Sequence, residues 1–202
     1  TNNFCTLNPI VGEATAGPRM SYQTMSEGNL KTVGSTASDS APVSSTFGFT
    51  EGKWYSEFYV TGVNSTYPQI GIIDTPEVNS NSTQTGSTGC EGVAYKSNGY
   101  KDIQGNASTY GDSFTTGDLI GMAIDADNGA AYFSKNGVWQ DSGDPTSGAS
   151  KTGAAYTYTA GTIEFTPGLV VYNTSSGWIA NFGQDSSFAG NETAQGNQDG
   201  NS

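Results

Sequence analysis

The sequence predicts an all-β protein that folds as a single two-sheet antiparallel β-sandwich. Its 28 glycines, with abundant serine, threonine and asparagine and few leucines, are typical of many short strands joined by turns. Residues 117–139 alternate in polarity with the period of two that a sheet with one buried face requires. At 202 residues, the chain is long enough for one sandwich domain with a substantial core.

The segment GDLIGMAIDADNGAAYFSKNGVW, residues 117–139, organises the prediction. Three apolar side chains share one face of its first strand and are expected in the core: Ile120, Met122 and Ile124. Asp-Asn-Gly at 127–129 and Asn-Gly at 136–137 supply residues that tolerate positive φ, as hairpin turns require. Two turns so close together leave no room for a helix, so Tyr132 and Phe133 are assigned to a second strand.

Residues 53–60 alternate in the same way. One face of this strand is apolar and is predicted to be core: Trp54, Phe58 and Val60. The opposite face is amphipathic: Tyr55, Glu57 and Tyr59. Residues 69–73 form a short apolar strand, and residues 75–89 follow as a long Ser, Thr and Asn-rich stretch with little to bury. A loop of that length is expected to be functional or mobile.

Four ordered segments together resemble one known family. Residues 117–139 resemble the central signature of SPRY domains, in which a GD-initiated apolar strand turns through a hairpin into a strand ending F-x-K-N-G. Three more segments match in the family's order: GKWYSEFYV (52–60), GCEGVAYKSNGYKDIQG (89–105) and FTPGLVVYNTSSGWIANFGQDSSF (165–188). Four ordered motifs are far more specific than any one of them. The resemblance implies a concanavalin A-like jelly-roll sandwich.

The resemblance divides the chain into three parts. Residues 1–44 are expected to be an amino-terminal extension packed on the sandwich, and residues 45–188 the sandwich itself. Residues 189–202 lack side chains that could anchor a core and are predicted to be a flexible linker or tail. The missing initiator Met and the apolar start, TNNFCTLNPI, predict that other domains of a longer chain flank this one.

Charge and composition exclude several classes of function. Seven basic and 19 acidic residues give a formal charge of -12, which repels nucleic-acid phosphates and anionic lipid surfaces. No apolar run approaches the roughly twenty residues of a membrane span, so no membrane insertion is expected. The chain has no histidine, which excludes Ser-His-Asp, Cys-His and H-E-x-x-H mechanisms.

No motif predicts a cofactor, a metal or catalysis. Residues 125–129 have the spacing of Asp and Asn side chains found in calcium loops, but an EF-hand needs a bidentate Glu where this chain has Asn136. These residues are therefore assigned to a hairpin turn. The alternating carboxylates of the glucanases, E-x-D-x-x-E, are absent too, so a glycoside hydrolase is disfavoured.

Cys5 and Cys90 are the only cysteines, and their spacing does not support a zinc site. They are either a disulfide or two buried thiols. An extracellular setting favours a bridge between them, but sequence alone does not define their separation.

The resemblance implies a non-catalytic recognition module, whose partner is a protein segment or a glycan. In the family, edge loops make the contacts, and here these correspond to residues 63–69, 75–89, 97–110 and 141–152. Four aromatic residues outside the predicted core are expected to bind the ligand: Tyr67, Tyr100, Tyr110 and Trp139. The sequence as a whole, with its TNNFCTLNP start and its end rich in Gly, Asn and Gln, also resembles SPRY domains of bacteriophage and marine microbial surface proteins. This resemblance implies an extracellular or virion-surface location. A structural decoration or spacer domain of a virion is the alternative.

Overall fold

The computed structural model describes residues 5–9, 22–35, 40–74, 86 and 90–193. In these ranges the chain forms strands, and its helical parts are short 3-10 turns. The strands are β1 (Gln23–Ser26), β2 (Lys31–Gly34), β3 (Ser40–Ser44), β4 (Lys53–Gly62), β5 (Gln69–Asp74), β6 (Gly92–Lys96), β7 (Tyr100–Ile103), β8 (Asn106–Thr109), β9 (Leu119–Asp125), β10 (Ala130–Lys135), β11 (Val138–Trp139), β12 (Tyr156–Thr157), β13 (Phe165–Tyr172) and β14 (Gly177–Asn181). None of the helical turns in these ranges is long and apolar enough to cross a membrane.

The described strands form two antiparallel sheets. The eight-stranded sheet has the order β1-β2-β14-β4-β9-β10-β11, with β12 also paired to β10. The six-stranded sheet has the order β3-β13-β5-β6-β7-β8. The predicted all-β, two-sheet sandwich is therefore confirmed.

The predicted hairpin of residues 117–139 is confirmed as β9 and β10. Ile124 pairs with Ala131, and the turn closes with the Gly129 amide donating to the Asp125 carbonyl at 2.7 Å. Gly129 has a φ of +73°, and a Cβ there would lie 2.2 Å from the Tyr158 carbonyl oxygen. Only glycine meets both requirements without strain.

The core lies between the inner faces of the two sheets. Ile120, Met122 and Ile124 are buried as predicted, and so are Phe58 and Val60 on β4. Their partners across the core come from β5, β6 and β13: Ile70, Ile72, Val93, Tyr95, Leu169 and Val171. Alternation along β4 and β9 therefore identified the buried faces correctly.

The predicted core position of Trp54 is wrong. Its side chain is 39% exposed, although it shares the inward face of β4 with Phe58. Trp54 is the second residue of β4 and lies at the end of the sandwich where that strand begins. Its ring packs on Phe47 and Phe49, with 4.7 and 5.7 Å between ring centroids. Alternation identifies the face of a strand but not the point at which the opposite sheet stops covering it.

The described residues before 45 supply strands to both sheets. The β1–β2 hairpin extends the eight-stranded sheet beside β14, and β3 forms an edge of the six-stranded sheet beside β13. After β14, Phe188 is buried against Tyr59, with 6.1 Å between ring centroids. Residues 194–202 of the predicted tail lie outside the described residues.

Candidate ligand-binding surfaces

Antiparallel strands bring the loops together at two ends of the sandwich. The end that we call the Tyr67 end is defined by four connections: 63–68, 97–99, 110–118 and 173–176. The opposite end, the Trp54 end, is also defined by four: 45–52, 104–105, 126–129 and 158–164. The predicted loop 75–89 joins strands whose ends lie at the Trp54 end, and apart from Gly86 it is outside the described residues. The loops that were predicted to share one edge are therefore divided between ends.

Tyr67 lies in a short connection that is tied to its neighbours. Its side chain is 50% exposed, and its ring lies against Tyr172 with 4.5 Å between centroids. Ser97 donates from its hydroxyl to the Ser65 carbonyl at 2.8 Å and from its amide to the Pro68 carbonyl at 3.0 Å. The loop that carries Tyr67 is thus held to the β6–β7 turn.

Tyr100 begins β7 at the same end of the sandwich. Its amide donates to the side-chain oxygen of Asn98 at 3.2 Å, an arrangement that shapes the β6–β7 turn. Its side chain is 39% exposed. Tyr67 and Tyr100 are therefore both exposed aromatic residues at this end of the sandwich.

Tyr110 was predicted to be an exposed loop residue, and this is wrong. The side chain is only 7% exposed, and its ring packs edge-on against Tyr95 and Phe133. Its hydroxyl accepts a hydrogen bond from the Phe133 amide at 3.3 Å, and burial raises the pKa of this phenol. Tyr110 is part of the core and offers no ring face to a ligand.

Trp139 lies on the outer face of the eight-stranded sheet, at neither end of the sandwich. It is half-buried on β11 against a small cluster that includes Ala123 and Tyr132. Its ring stands edge-on to Tyr55, with 6.3 Å between centroids. The structure therefore separates Trp139 from Tyr67 and Tyr100.

The predicted binding loop 141–152 lies beside Trp139. The hydroxyl oxygens of Tyr132 and Ser147 are 3.4 Å apart, and the Thr152 amide donates to the same Ser147 hydroxyl at 3.0 Å. The side-chain oxygen of Gln140 accepts from the Asp112 amide at 2.7 Å. The first contact joins the segment to β10, the second is internal to the segment, and the third joins the residue just before it to the 110–118 connection.

Tyr55 is an exposed aromatic residue that was not among the predicted binding residues. Its side chain is 55% exposed on the outer face of β4. The alternation had already placed it opposite the core face, in an amphipathic row with Glu57 and Tyr59. An aromatic residue on the solvent face of a strand was the available signal.

The hairpin interpretation of residues 125–129 is confirmed by their hydrogen bonds. The Asp125 carboxylate is buried and accepts from the amide and side chain of Asn128, and from Lys53 at 2.5 Å. Asp127 accepts from the Gly52 amide at 2.7 Å. Across the described part of the chain, no three His, Cys, Asp or Glu side chains come together as metal ligands.

Asp125 is expected to make folding stability depend on acid pH. Its burial by itself raises the pKa, but hydrogen bonds from Lys53 and Asn128 outweigh it and hold the pKa below the ordinary value of 3.8. A lowered folded-state pKa means that the ionised group stabilises the fold, a contribution complete above about pH 5 and lost as pH falls through 3.8 and below.

This dependence is measured by urea unfolding of the parent and of Asp125→Asn from pH 2 to 7. The variant should be less stable at neutral pH, and the gap between the two proteins should close in acid. A gap that stays constant across this range would contradict the assignment.

Cys5 and Cys90 are thiols, and no disulfide joins them. Cys5 precedes Leu7, which pairs with Ser45 just beyond β3, whereas Cys90 precedes β6, three strands from β3. At about 4.8 Å per strand, that distance exceeds the roughly 4–7 Å between Cα atoms that a bridge allows. Of the two alternatives left open by the sequence, the structure shows separate thiols. Burial raises the pKa of the Cys5 thiol.

No protein-family model matches this chain, and no curated protein matches it. Solved structures do. The SPRY domain of human HERC1 superposes with a TM-score of 0.58 at 18% identity, over 81% of this chain and 94% of that one. A second human SPRY domain superposes with a TM-score of 0.61 at 15% identity, over 81% of this chain and 97% of that one. Stonustoxin superposes with a TM-score of 0.62 at 18% identity, over 88% of this chain and 27% of that one.

At identities of 15 to 18%, such similarity establishes the fold and nothing about partners. The chain has the β-sandwich fold of SPRY domains.

Proposed function

We propose that this chain is a non-catalytic recognition domain that binds an extended protein segment at the Tyr67 end. One observation carries the proposal: Tyr67 is half-exposed, yet its ring packs at a tilt against Tyr172 and its loop is hydrogen-bonded to the β6–β7 turn. The SPRY fold of the similar structures supports the same class of function.

The geometry of Tyr67 suits a binding hot spot. A ring already held by a neighbouring ring and by a short loop loses little conformational freedom when a ligand packs on it. Tyrosine also adds a polar hydroxyl to a large apolar face. Tyr100, at the start of β7, is a second exposed tyrosine at this end of the sandwich.

The chemistry of the described residues supports a role without catalysis. The chain has no histidine to act as a general base. Hydrogen bonds hold the pKa of four described carboxyl groups below the ordinary value: Asp118, Asp125, Asp144 and Asp185. A glycosidase needs one carboxyl group with a raised pKa as its general acid. A glycoside hydrolase is thus poorly supported.

Replacement of Tyr67 or Tyr100 by alanine should weaken ligand binding without unfolding the domain. Selection of a random peptide library displayed on phage would identify a peptide for the immobilised parent, and calorimetry would give its dissociation constant. We expect Tyr67→Ala to raise that constant about tenfold or more, because hot-spot aromatic residues contribute at least about 1.4 kcal/mol. Each variant should lose no more than about 1 kcal/mol of unfolding free energy.

The matched control is Tyr55→Ala, because Tyr55 has a similar exposed fraction on a different face. It should bind the selected peptide like the parent. Failure to enrich any peptide, or equal binding by the Tyr67 and Tyr100 variants, would favour a structural spacer domain.

We also propose that the domain is displayed on a virion or cell surface as part of a longer protein. The net charge of -12 and a sequence pI near 4.1 support a solvated surface that repels anionic membranes. Immunogold labelling of intact particles or cells with an antibody to this domain tests the location. Labelling that appears only after lysis would contradict it.

A further inference from the structure

Two clefts flank the Tyr55 ring on the outer face of the eight-stranded sheet. The larger, of about 340 Å³, lies between the β10–β11 turn and the segment after β14, and its lining includes Glu57, Gly121, Ser134, Phe188 and Glu192. The smaller, of about 290 Å³, includes Lys53, Ala123, Trp139 and Pro145. Tyr55 lines both. Each cleft is at or near the size range of small-ligand sites, roughly 300–1,000 Å³.

Gly121 allows the Tyr55 ring to lie across the neighbouring strand. Tyr55 is paired with Ala123 in the register, but its ring leans over Gly121 toward Ser134. A Cβ on Gly121 would lie 2.8 Å from the Tyr55 hydroxyl and 2.4 Å from that of Ser134. A larger residue would therefore displace the ring.

The Tyr55 ring is also held by its hydroxyl group. That hydroxyl donates to Glu57 at 2.8 Å. A tyrosine phenol has an ordinary pKa of about 10, so it is protonated at neutral pH and can act as this donor. More than half of the side chain remains open to solvent. Trp139 stands edge-on beside it and contributes a second aromatic surface to the smaller cleft.

The rim of the larger cleft is rich in hydrogen-bonding groups. The carboxylates of Glu57 and Glu192 and the hydroxyls of Ser186 and Thr193 line it. The nearby lysines are paired: Lys53 lies 2.5 Å from Asp125, and Lys135 lies 3.3 Å from Asp118. The surface therefore offers acceptors and an aromatic ring without an uncompensated positive charge.

This combination selects one class of ligand. An anion would meet the Glu57 and Glu192 carboxylates, which repel it. A wholly apolar ligand would desolvate Glu57 without giving it a hydrogen bond, which is costly. A sugar ring has an apolar face of C–H groups that can stack on an aromatic ring, and hydroxyl groups that can donate to carboxylates at the rim.

We propose that the Tyr55 cleft is a second binding site, for a neutral linear oligosaccharide that lies across the outer face with sugar rings on both sides of Tyr55. The two clefts continue past the ring in opposite directions, so a chain of two or more sugar units matches their arrangement. This site is separate from the Tyr67 end and does not depend on peptide binding there.

The test is a titration of the ¹⁵N-labelled parent with neutral hexasaccharides of β1,4-glucose, β1,3-glucose, β1,4-mannose, β1,4-xylose and α1,4-glucose. We expect at least one of them to shift the amide signals of Gly121 and Ser134 and the indole signal of Trp139. Tyr55→Ala should weaken that binding about tenfold or more. Tyr67→Ala, the matched exposed tyrosine at the Tyr67 end, should bind within about twofold of the parent.

The positions of the shifted amide and indole signals in the parent locate the bound sugar, so the test remains valid even if Tyr55→Ala does not fold. Tyr55→Phe, which keeps the ring, should retain most of the affinity. Three results would each overturn the proposal: no shift with any hexasaccharide at millimolar concentration, shifts confined to the Tyr67 end, or unchanged affinity in folded Tyr55→Ala. Preferential binding of a polyuronate or of the selected peptide in this cleft would also overturn it.

Discussion

Replacing Tyr110 by alanine is expected to lower the free energy of unfolding by about 3–5 kcal/mol. The ring lies among Tyr95 and Phe133, with centroid distances of 5.6 and 6.2 Å, and its removal leaves a cavity in the core. Its hydroxyl also accepts from the Phe133 amide, on the edge of β10 that faces away from β9, at a point between the residues paired with β11 and with β12. Urea denaturation at neutral pH measures the loss.

Two variants divide this effect into its parts. Tyr110→Phe keeps the ring and removes the hydroxyl, so it should cost about 1 kcal/mol through the unpaired Phe133 amide. Tyr100→Ala removes an exposed tyrosine and should change stability by no more than about 1 kcal/mol. A Tyr110→Ala protein as stable as the Tyr100→Ala protein would refute the core assignment.

Trp178→Ala is expected to have an effect of the same size, about 3–5 kcal/mol. Trp178 is fully buried on β14 of the eight-stranded sheet, and its ring lies 5.6 Å from Phe114 between centroids. Its indole nitrogen donates to the Val170 carbonyl, on β13 of the six-stranded sheet, at 3.2 Å. The side chain therefore joins the two layers both by packing and by a hydrogen bond.

Trp178→Phe separates these two contributions. It preserves much of the packing but leaves the buried Val170 carbonyl without this donor, so we expect it to be less destabilising than alanine. Thermal and urea unfolding of both variants provide the measurement. If Trp178→Ala unfolds within about 1 kcal/mol of the parent, Trp178 does not join the sheets as described.

The unfolding free energies of these core variants show how large a loss of stability must be distinguished from a loss of affinity in the binding variants. Tyr55 and Tyr67 are at least half exposed, so a loss of affinity on their replacement can be separated from a loss of folding. Tyr110 fails that condition, since its replacement would remove any binding activity by destabilising the domain.

Local sequence determined the strands and their faces. Side chains two apart lie on one side of a strand, so alternation alone assigned Ile120, Met122 and Phe58 to the core. The β9–β10 turn was also encoded locally, because Asp, Asn and Gly supply its hydrogen bonds and its positive φ. The ordered motifs then indicated the SPRY fold, which the solved structures confirm.

Only the tertiary structure decided which aromatic residues are accessible. Tyr67, Tyr100 and Tyr110 all follow turn-rich sequence, yet Tyr110 is buried because β6 and β10 bring Tyr95 and Phe133 against it. Trp54 lies on the core-facing side of β4, as the alternation predicts, but the opposite sheet does not cover it fully and it is exposed. Exposure depends on how far one layer extends over another, and this is set by contacts between residues distant in sequence, which no local pattern records.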